Sequence, residues 1–464
     1  MKVALLRVGE AADGRETNRT GVYPPLGLAY LGAVLRQAGH QPVLLDGEAL
    51  GVGVSSLLDR VPPDVGLIGV TSTTLSWPAV QRSAPQIRHR FPAIPLIVGG
   101  PQVTAFPEWT LEWSQFDLGV IGEGEWTLLD LVDRVADGRP LTGVPGTVAR
   151  DGRDVTVVPG GRFSKNLDEI PMPALDLLPL DRYSSVVVRS PFVTLLASRG
   201  CPYRCAFCSQ IYTGDKFRAH SAQRILAELE RAERDFHAQE VVLFDETFGA
   251  NRRVAREVCE GISSRGFRFR WNARTRIDLL DRELLSQMRR SGCYMLHLGI
   301  ESGSQATLDS MRKGITLEKI EEVVRVAREL RYKLHGYFML GYPGETRADV
   351  ERTAAFSRRL PLDWVSYTIT IPNPHTPLQE EAEATGLLRK DFWRDYVAGR
   401  TDGVIPYLSS PECPVSYLKK AKRDAYLRFY LRPGTLLSQG SFVLRSGGAR
   451  RILDAGLLWL RELR

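Results

Sequence analysis

Residues 192–210 read FVTLLASRGCPYRCAFCSQ: an apolar run of strand length, then a loop holding three of the protein's six cysteines. Five comparable runs follow, "EVVLFDE", "FRFRWNARTRI", "CYMLHLGIES", "KLHGYFMLGYPG" and "WVSYTITIPNP". Between them, apolar residues recur at spacings of three and four, as in Val254, Val258 and Ile262 or Ile320, Val324 and Ala327. Ser221 and Thr316 stand where helix N-caps belong. Six βα units in succession predict a partial (β/α)6 TIM-like barrel, short of the eight that close one. Such barrels do their chemistry at the carboxyl ends of their strands, so a loop directly after the first strand is well placed for function.

Three clustered thiolates, from Cys201, Cys205 and Cys208, are soft ligands suited to zinc or to an iron–sulfur cluster. A structural zinc ion takes four ligands, usually as two spaced pairs, and no second Cys or His pair stands nearby. Three cysteines on a 4Fe–4S cluster instead leave one iron open to a cofactor or substrate. Cys259, within an amphipathic helix, and Cys293, at a strand start, read as packing residues, and Cys413 lies between prolines.

Towards the N-terminus the rhythm is that of a second α/β unit. The runs "KVALLRV", "QPVLLD", "VGLIGV", "PLIVGG" and "FDLGVIG" alternate with helical stretches, predicting a doubly wound, Rossmann-like parallel sheet over 1–138. In 139–190, Asp151-Gly152 between two β-prone arms signals a hairpin, and a proline-rich linker follows. The barrel takes 191–380, and 381–464 reads as mainly helical. In these 464 residues no apolar run approaches the roughly 20 needed to span a bilayer. "MKVALLRVGE" turns polar too early for a secretion signal. The uneven cysteines make no disulfide framework, which points to a reducing cytoplasm. Much of the net charge of +7 lies beyond residue 381, as in "YLKKAKRDAYLRFYLRP", which reads as a solvated helix face, or as serving an anionic substrate or a weak membrane-surface contact. Aromatic-interleaved basic stripes are missing, which sets nucleic-acid binding aside.

The loop CPYRCAFC, with Phe207 before its last cysteine, resembles the defining loop of the radical S-adenosylmethionine (SAM) enzymes. "LFDETF", "GIESGSQATLDSMRKG", "GYFMLGYPGET" and "PNPHTPL" resemble the core of the same superfamily, in particular the branch with an N-terminal cobalamin-binding domain. The resemblance covers roughly residues 1–380. It implies a 4Fe–4S cluster on Cys201, Cys205 and Cys208, whose open iron binds the amino and carboxylate groups of SAM, with Phe207 beside it. Asp245 and Glu246, closing the second strand, take the place of the family's acceptors for the methionine ammonium; the usual pair there is two aspartates. Glu301 corresponds to a ribose contact, and Gly341 opens a tight turn that lets backbone approach the adenosyl group. On "FRFRWNARTRI" the alternation puts Phe267, Phe269, Trp271 and Ala273 on one face and Arg268, Arg270, Asn272, Arg274 and Arg276 on the other. Arg274 and Arg276 then point to the barrel mouth, to clamp a carboxylate or to pair with Asp245, Glu246 or Glu301. His375 and Tyr337 are the candidates for substrate-facing catalytic residues.

In the first unit, ligands of an open parallel sheet lie across the carboxyl ends of its strands. Thr71, Ser72 and Thr73, in the loop after the third strand, can hydrogen-bond a ligand without filling its space. The "VGGPQVT" loop brings Gly99, Gly100, Pro101 and Gln102; the "IGEGE" loop brings Gly122, Glu123 and Gly124. Three such permissive loops on one edge suit a bulky flat ligand, which the resemblance makes cobalamin. The loop after the first strand, "GEAADGRETNRTGVYPPLG", has no histidine to ligate cobalt from below. All cysteines lie at 201 or later, which excludes the methylthiotransferases, whose N-terminal cysteines hold a second cluster. The expected activity is methylation of an unactivated carbon of a small metabolite, through a 5′-deoxyadenosyl radical and methylcobalamin, with a flavodoxin or ferredoxin as electron donor. The alternatives are cyclisation, ring rearrangement or oxidation with the same cofactors, and a radical enzyme whose first domain is empty.

Overall fold

A computed structural model describes residues 1–9, 21–152, 154–185, 187–210 and 216–432. The chain divides into two compact units. Of the described residues, the first unit takes those in Met1–Ser185, Gln210–Arg218 and Asp391–Val404; the second takes those in Val186–Ser209 and Ala219–Lys390 and from Ile405 onward.

The first unit is built on seven strands: β1 (Lys2–Arg7), β2 (Gln41–Asp46), β3 (Val65–Thr71), β4 (Leu96–Gly99), β5 (Leu118–Val120), β6 (Thr147–Asp151) and β7 (Asp154–Val158). They lie in the order β2-β1-β3-β4-β5-β6-β7. The first five pair in parallel, while β6 and β7 add an antiparallel edge around the Asp151-Gly152 turn. Val3, Ala4, Leu5 and Leu6 are each no more than 1% exposed, so β1 is covered on both faces and each leucine contributes about 2 kcal/mol. The strand order reverses between β1 and β3, the crevice where open sheets of this kind take ligands.

Part of the segment expected in a helical C-terminal region belongs to this first unit. Asp391–Val404, with its short helix Phe392–Val397, is fastened to the helix Trp77–Arg90. The Trp77 indole N–H donates to the Val397 carbonyl at 2.9 Å, and the Gln81 amide donates to the same oxygen at 3.0 Å. Tyr396 donates its hydroxyl to the Thr74 carbonyl at 2.8 Å, and Trp393 stacks on Phe106 with ring centroids 5.6 Å apart. Residues 433–464, read as helical, lie outside the described residues.

The second unit carries six parallel strands in chain order: β8 (Phe192–Leu195), β9 (Glu240–Leu243), β10 (Arg270–Thr275), β11 (Cys293–Glu301), β12 (Lys333–Leu340) and β13 (Trp364–Ile369). Sequential parallel order needs a crossover at every step, supplied by helices such as Ala222–Arg234, Arg252–Arg265 and Leu317–Glu329. Ser221 and Thr316 cap the first and last of these, accepting from the N–H groups of Arg224 and Lys319. The two expected apolar stripes are buried, Val254, Val258 and Ile262 on one helix and Ile320, Val324 and Ala327 on another. At the amino ends of the strands Glu240, fully buried, accepts from the Arg189 N–H, the Arg270 guanidinium, the Asn272 amide and the Tyr294 hydroxyl. That network satisfies a buried carboxylate away from the carboxyl ends, where the cysteine loop lies. Among the described residues no helix is long and apolar enough to cross a membrane.

Candidate active site

The cysteine loop leaves β8 and is held from three directions within its own unit. The Ala206 N–H donates to the Met311 carbonyl at 2.9 Å, the Leu378 N–H to the Ala206 carbonyl at 3.0 Å, and the Asn373 amide to the Phe207 carbonyl at 3.2 Å. Cys201 and Cys205 are buried, Cys208 is exposed, and all three are free thiols. Burial pushes the Cys201 thiol above its ordinary range, a proton that binding to iron would displace. Among the described residues no three His, Cys, Asp or Glu side chains converge on a point as one metal ion requires. A cubane asks for something else, one thiolate at each of three separate irons, and a flexed loop of three soft donors fits it. Ser209, next to the third cysteine, has a buried hydroxyl without a partner among the described residues, which leaves a polar atom for a bound group.

Arg276 is the side chain that locks this loop. Its guanidinium donates to the Cys205 sulfur at 3.2 Å and to the Lys313 carbonyl at 2.6 Å, pairs with Asp278 at 2.9 Å, and lies 3.7 Å from the centre of the Tyr203 ring. It forms none of the pairs with Asp245, Glu246 or Glu301 that the alternation allowed. Arg274 goes elsewhere. β10 begins at Arg270 rather than at Phe267 and ends at Thr275, so the two arginines do not share one strand face to its end. Arg274 instead lies over the Phe244 ring at 4.1 Å, level with His297.

The carboxylates divide their tasks. Asp245 is buried, accepting from the Ala197 N–H at 3.0 Å and the Ser198 hydroxyl at 2.5 Å; burial raises its carboxyl to about 6. Its charge is spent on holding the base of the loop, whereas its neighbour Glu246 is exposed. Glu301 occupies left-handed backbone, φ 68°, at an irregularity in the β11–β12 register, and accepts from the Lys313 ammonium at 2.7 Å. Glu345 folds back to accept from the N–H groups of Gly341 and Tyr342, and burial raises its carboxyl to about 7. Gly341 has φ 79°, and a Cβ there would come within 2.5 Å of Leu418. The glycine is therefore required by the turn and by a packed leucine; its Cβ position is not open to a ligand.

Of the two expected catalytic residues, His375 is exposed in the turn after β13, at φ 56°, its N–H donating to Gln379. Tyr337 lies in β12, its hydroxyl 3.0 Å from His297 Nδ1 and its ring stacked on His335 at 4.5 Å. Burial holds the His297 imidazole well below its ordinary range and His335 at about 4, with Arg274 adding to both. Lys313, Glu345, His297 and His335 were missed from sequence. The two histidines had a usable signal, since parallel pairing of three strands with period two puts His297 and His335 in register with Arg274. Lys313 had none.

In the first unit the three glycine-bearing loops play unlike parts. Gly100, φ 104°, is forced by packing, because a Cβ would sit 2.7 Å from the Ser72 carbonyl. Ser72 is buried and ties the ends of β3 and β4 through its N–H to the Gly99 carbonyl and through its own carbonyl to the Gln102 N–H. Thr71 ends β3, and Thr73 exchanges hydrogen bonds with Ser76. Gly99 faces open space, with nothing within 4 Å of a Cβ. Pro101 opens a short helix, and Gln102 is fully buried with its Oε1 unpartnered among the described residues. Gly122, φ 74°, lies beneath the half-exposed Phe163 ring, and Glu123 forms a near-buried pair with Arg218 at 2.5 Å. Gly124 precedes the helix Glu125–Ala136. An open ridge at Gly99, exposed Leu75 and Phe163, and an orphaned buried amide oxygen fit a large ring carrying amide groups. Residues 10–20, in the loop expected to leave cobalt without a histidine, lie outside the described residues.

The family model of the radical SAM superfamily matches residues 195–357, and that of the B12 binding domain matches residues 16–132. The chain is 34% identical over 443 residues to "Uncharacterized methyltransferase PH0819" of Pyrococcus horikoshii, a match covering 94% of each chain. It is 26% identical to the anaerobic magnesium-protoporphyrin IX monomethyl ester cyclase of Rubrivivax gelatinosus, over 82% of this chain and 70% of that one. In fold it is similar to the radical SAM methyltransferase TsrM of Kitasatospora setae, solved with tryptophan and a SAM analogue, with a TM-score of 0.70 at 20% identity. That likeness covers 84% of this chain and 77% of the other.

Proposed function

Because the chain belongs to the radical SAM enzymes that carry a cobalamin-binding domain, we propose that it methylates an unactivated carbon of a small metabolite. It is an enzyme whose cofactors are a 4Fe–4S cluster, SAM and cobalamin. When bound, these groups supply the reductive cleavage of SAM to a carbon radical and the methyl group that is delivered. The chain's own residues bind and orient. Cys201, Cys205 and Cys208 would each ligate one iron, with Arg276 fixing the Cys205 sulfur by a charged hydrogen bond. Phe207 within that loop, with Glu246 and Glu301, would contact SAM, and Asp245 braces the loop through Ala197 and Ser198. The loop residues Thr71–Thr73, Gly99–Gln102 and Gly122–Gly124 would hold cobalamin against the first sheet. We read that sheet as Rossmann-like, the second as a partial (β/α)6 barrel, the electron donor as a flavodoxin or ferredoxin, and the setting as cytoplasmic.

The observation that carries this reading is the three-thiol loop at the carboxyl end of the first strand of a parallel sheet, with Arg276 on one of its sulfurs. Similarity to a cyclase keeps one other outcome in play, reaction without net methylation. The test is anaerobic reconstitution with iron, sulfide and cobalamin, followed by assay of 5′-deoxyadenosine and of product mass. A methylated product gains about 14 Da per transfer, whereas a cyclised one gains none. Replacing Cys201, Cys205 and Cys208 together by alanine is expected to remove the iron and bring SAM cleavage to background. Iron and cleavage at wild-type levels in that variant would refute the assignment.

A further inference from the structure

The inward row of β10, β11 and β12 carries a group of polar side chains whose partners within the chain leave donors over. Parallel register sets Arg274 beside His297, His297 beside His335, and His335 beside Trp364; Tyr337 stands one inward position along, paired with Ser366. From this row we propose that Arg274, with His335 as a second donor and Tyr337 as a wall, anchors an oxyanion of the substrate, a carboxylate or a phosphonate. The inference rests on the reading above, that the second unit acts on a small metabolite, and it names the class of that metabolite.

The charges argue first. Arg274 forms no ion pair among the described residues; its guanidinium lies on the face of Phe244, 4.1 Å from the ring centre. Three carboxylates of the same sheet are engaged by other donors, Asp245 by Ala197 and Ser198, Glu240 by its four donors, and Glu301 by Lys313, and the exposed Glu246 forms no ion pair with it. The other cation of these inward positions, Lys333, is paired with Asp363 at 2.7 Å. A half-buried guanidinium without an ion pair among the described residues is a ready fork for two oxygens of an anion.

Hydrogen bonding argues second. His335 Nε2 lies 2.9 Å from the Ser366 hydroxyl, while its Nδ1 is buried without a partner among the described residues. The ring is kept neutral by burial and by the nearby guanidinium. In the tautomer where Ser366 donates to Nε2, the single ring proton sits on Nδ1, an N–H without an acceptor among the described residues. His297 likewise spends its Nδ1 on the Tyr337 hydroxyl at 3.0 Å. A cation and an unanswered N–H in one row call for an acceptor-only group, which an oxyanion is. Beside it, the His335 and Tyr337 rings stack within 20° of parallel and offer a flat wall.

The probes are benzoate, phenylphosphonate and neutral benzamide, titrated calorimetrically into the reconstituted holoenzyme, with and without saturating SAM. Either anion is expected to bind more tightly than benzamide, and the tighter of the two names the substrate's group. Arg274→Gln should weaken the anion roughly tenfold or more, while Arg274→Lys keeps part of the affinity. His335→Phe, which preserves a ring on Tyr337 but removes the N–H, should cost a smaller factor; it serves also if Arg274→Gln fails to fold. Equal binding of anion and benzamide, or equal anion binding by wild type and both variants, overturns the proposal. So does displacement of the anion by SAM, which would return Arg274 to the cofactor's carboxylate. Cleavage of SAM by the wild-type holoenzyme, measured separately, decides the assigned chemistry, so failure of one reading is distinguishable from failure of the other.

Discussion

Lys313 and Glu301 are 12 residues apart in sequence, yet their side chains meet at 2.7 Å with only 7% and 11% of their surface exposed. Both charges are largely out of water, and each depends on the other. Lys313→Met is therefore expected to destabilise the second unit by about 3–5 kcal/mol, because it strands a buried carboxylate. Adding Glu301→Gln should recover most of the loss. Urea unfolding midpoints of the two variants check this, and a double variant less stable than the single one would contradict it. The same pair shows where residue-level reading stops. Glu301 was legible from its place at a strand end, but nothing in "SMRKG" marks the lysine as its partner. That pairing follows from an irregular register and a left-handed Glu301 that turn the carboxylate towards it. Arg276 is similar: a clamp was legible, but not that it would close on Cys205, Asp278 and the Lys313 carbonyl.

At the level of elements, one boundary and one short helix alter the picture drawn from periodicity. β10 stops at Thr275, which is why two arginines of one alternating row end in different places. The helix Phe392–Val397 is rich in aromatic residues, and its face is satisfied by the first unit, through Trp77, Gln81 and Phe106. Trp77→Phe removes one of two donors to the Val397 carbonyl while keeping the ring in place. We expect a loss of about 1 kcal/mol locally and faster tryptic cleavage after Arg394 and Arg400. Unchanged cleavage at those arginines would mean that the indole N–H does not hold this segment. Periodicity could not anticipate the docking, because an amphipathic stripe states that a face must be covered and not what covers it.

The whole molecule holds two sheets, the second all parallel and the first parallel but for its β6–β7 edge, each with its own doubly covered strands and a distinct set of candidate ligands at its carboxyl edge. If each sheet holds its cofactor by itself, the chain with Cys201, Cys205 and Cys208 replaced by alanine should still bind one equivalent of cobalamin while lacking iron. Visible absorption of the corrinoid after desalting reads this directly, and its loss along with the iron would tie the two sites together. The parallel strands, the helices between them and the cysteine loop were all determined by the sequence itself. Period-two and period-four patterns, turn residues and ligand spacing act over a few neighbouring positions, and those forces are written locally. Only the tertiary structure decided which carboxylate brace the loop, which arginine touches a sulfur, and which face of Asp391–Val404 is covered. Those choices depend on contact between residues tens to hundreds of positions apart, where charge and hydrogen bonding act only at short range.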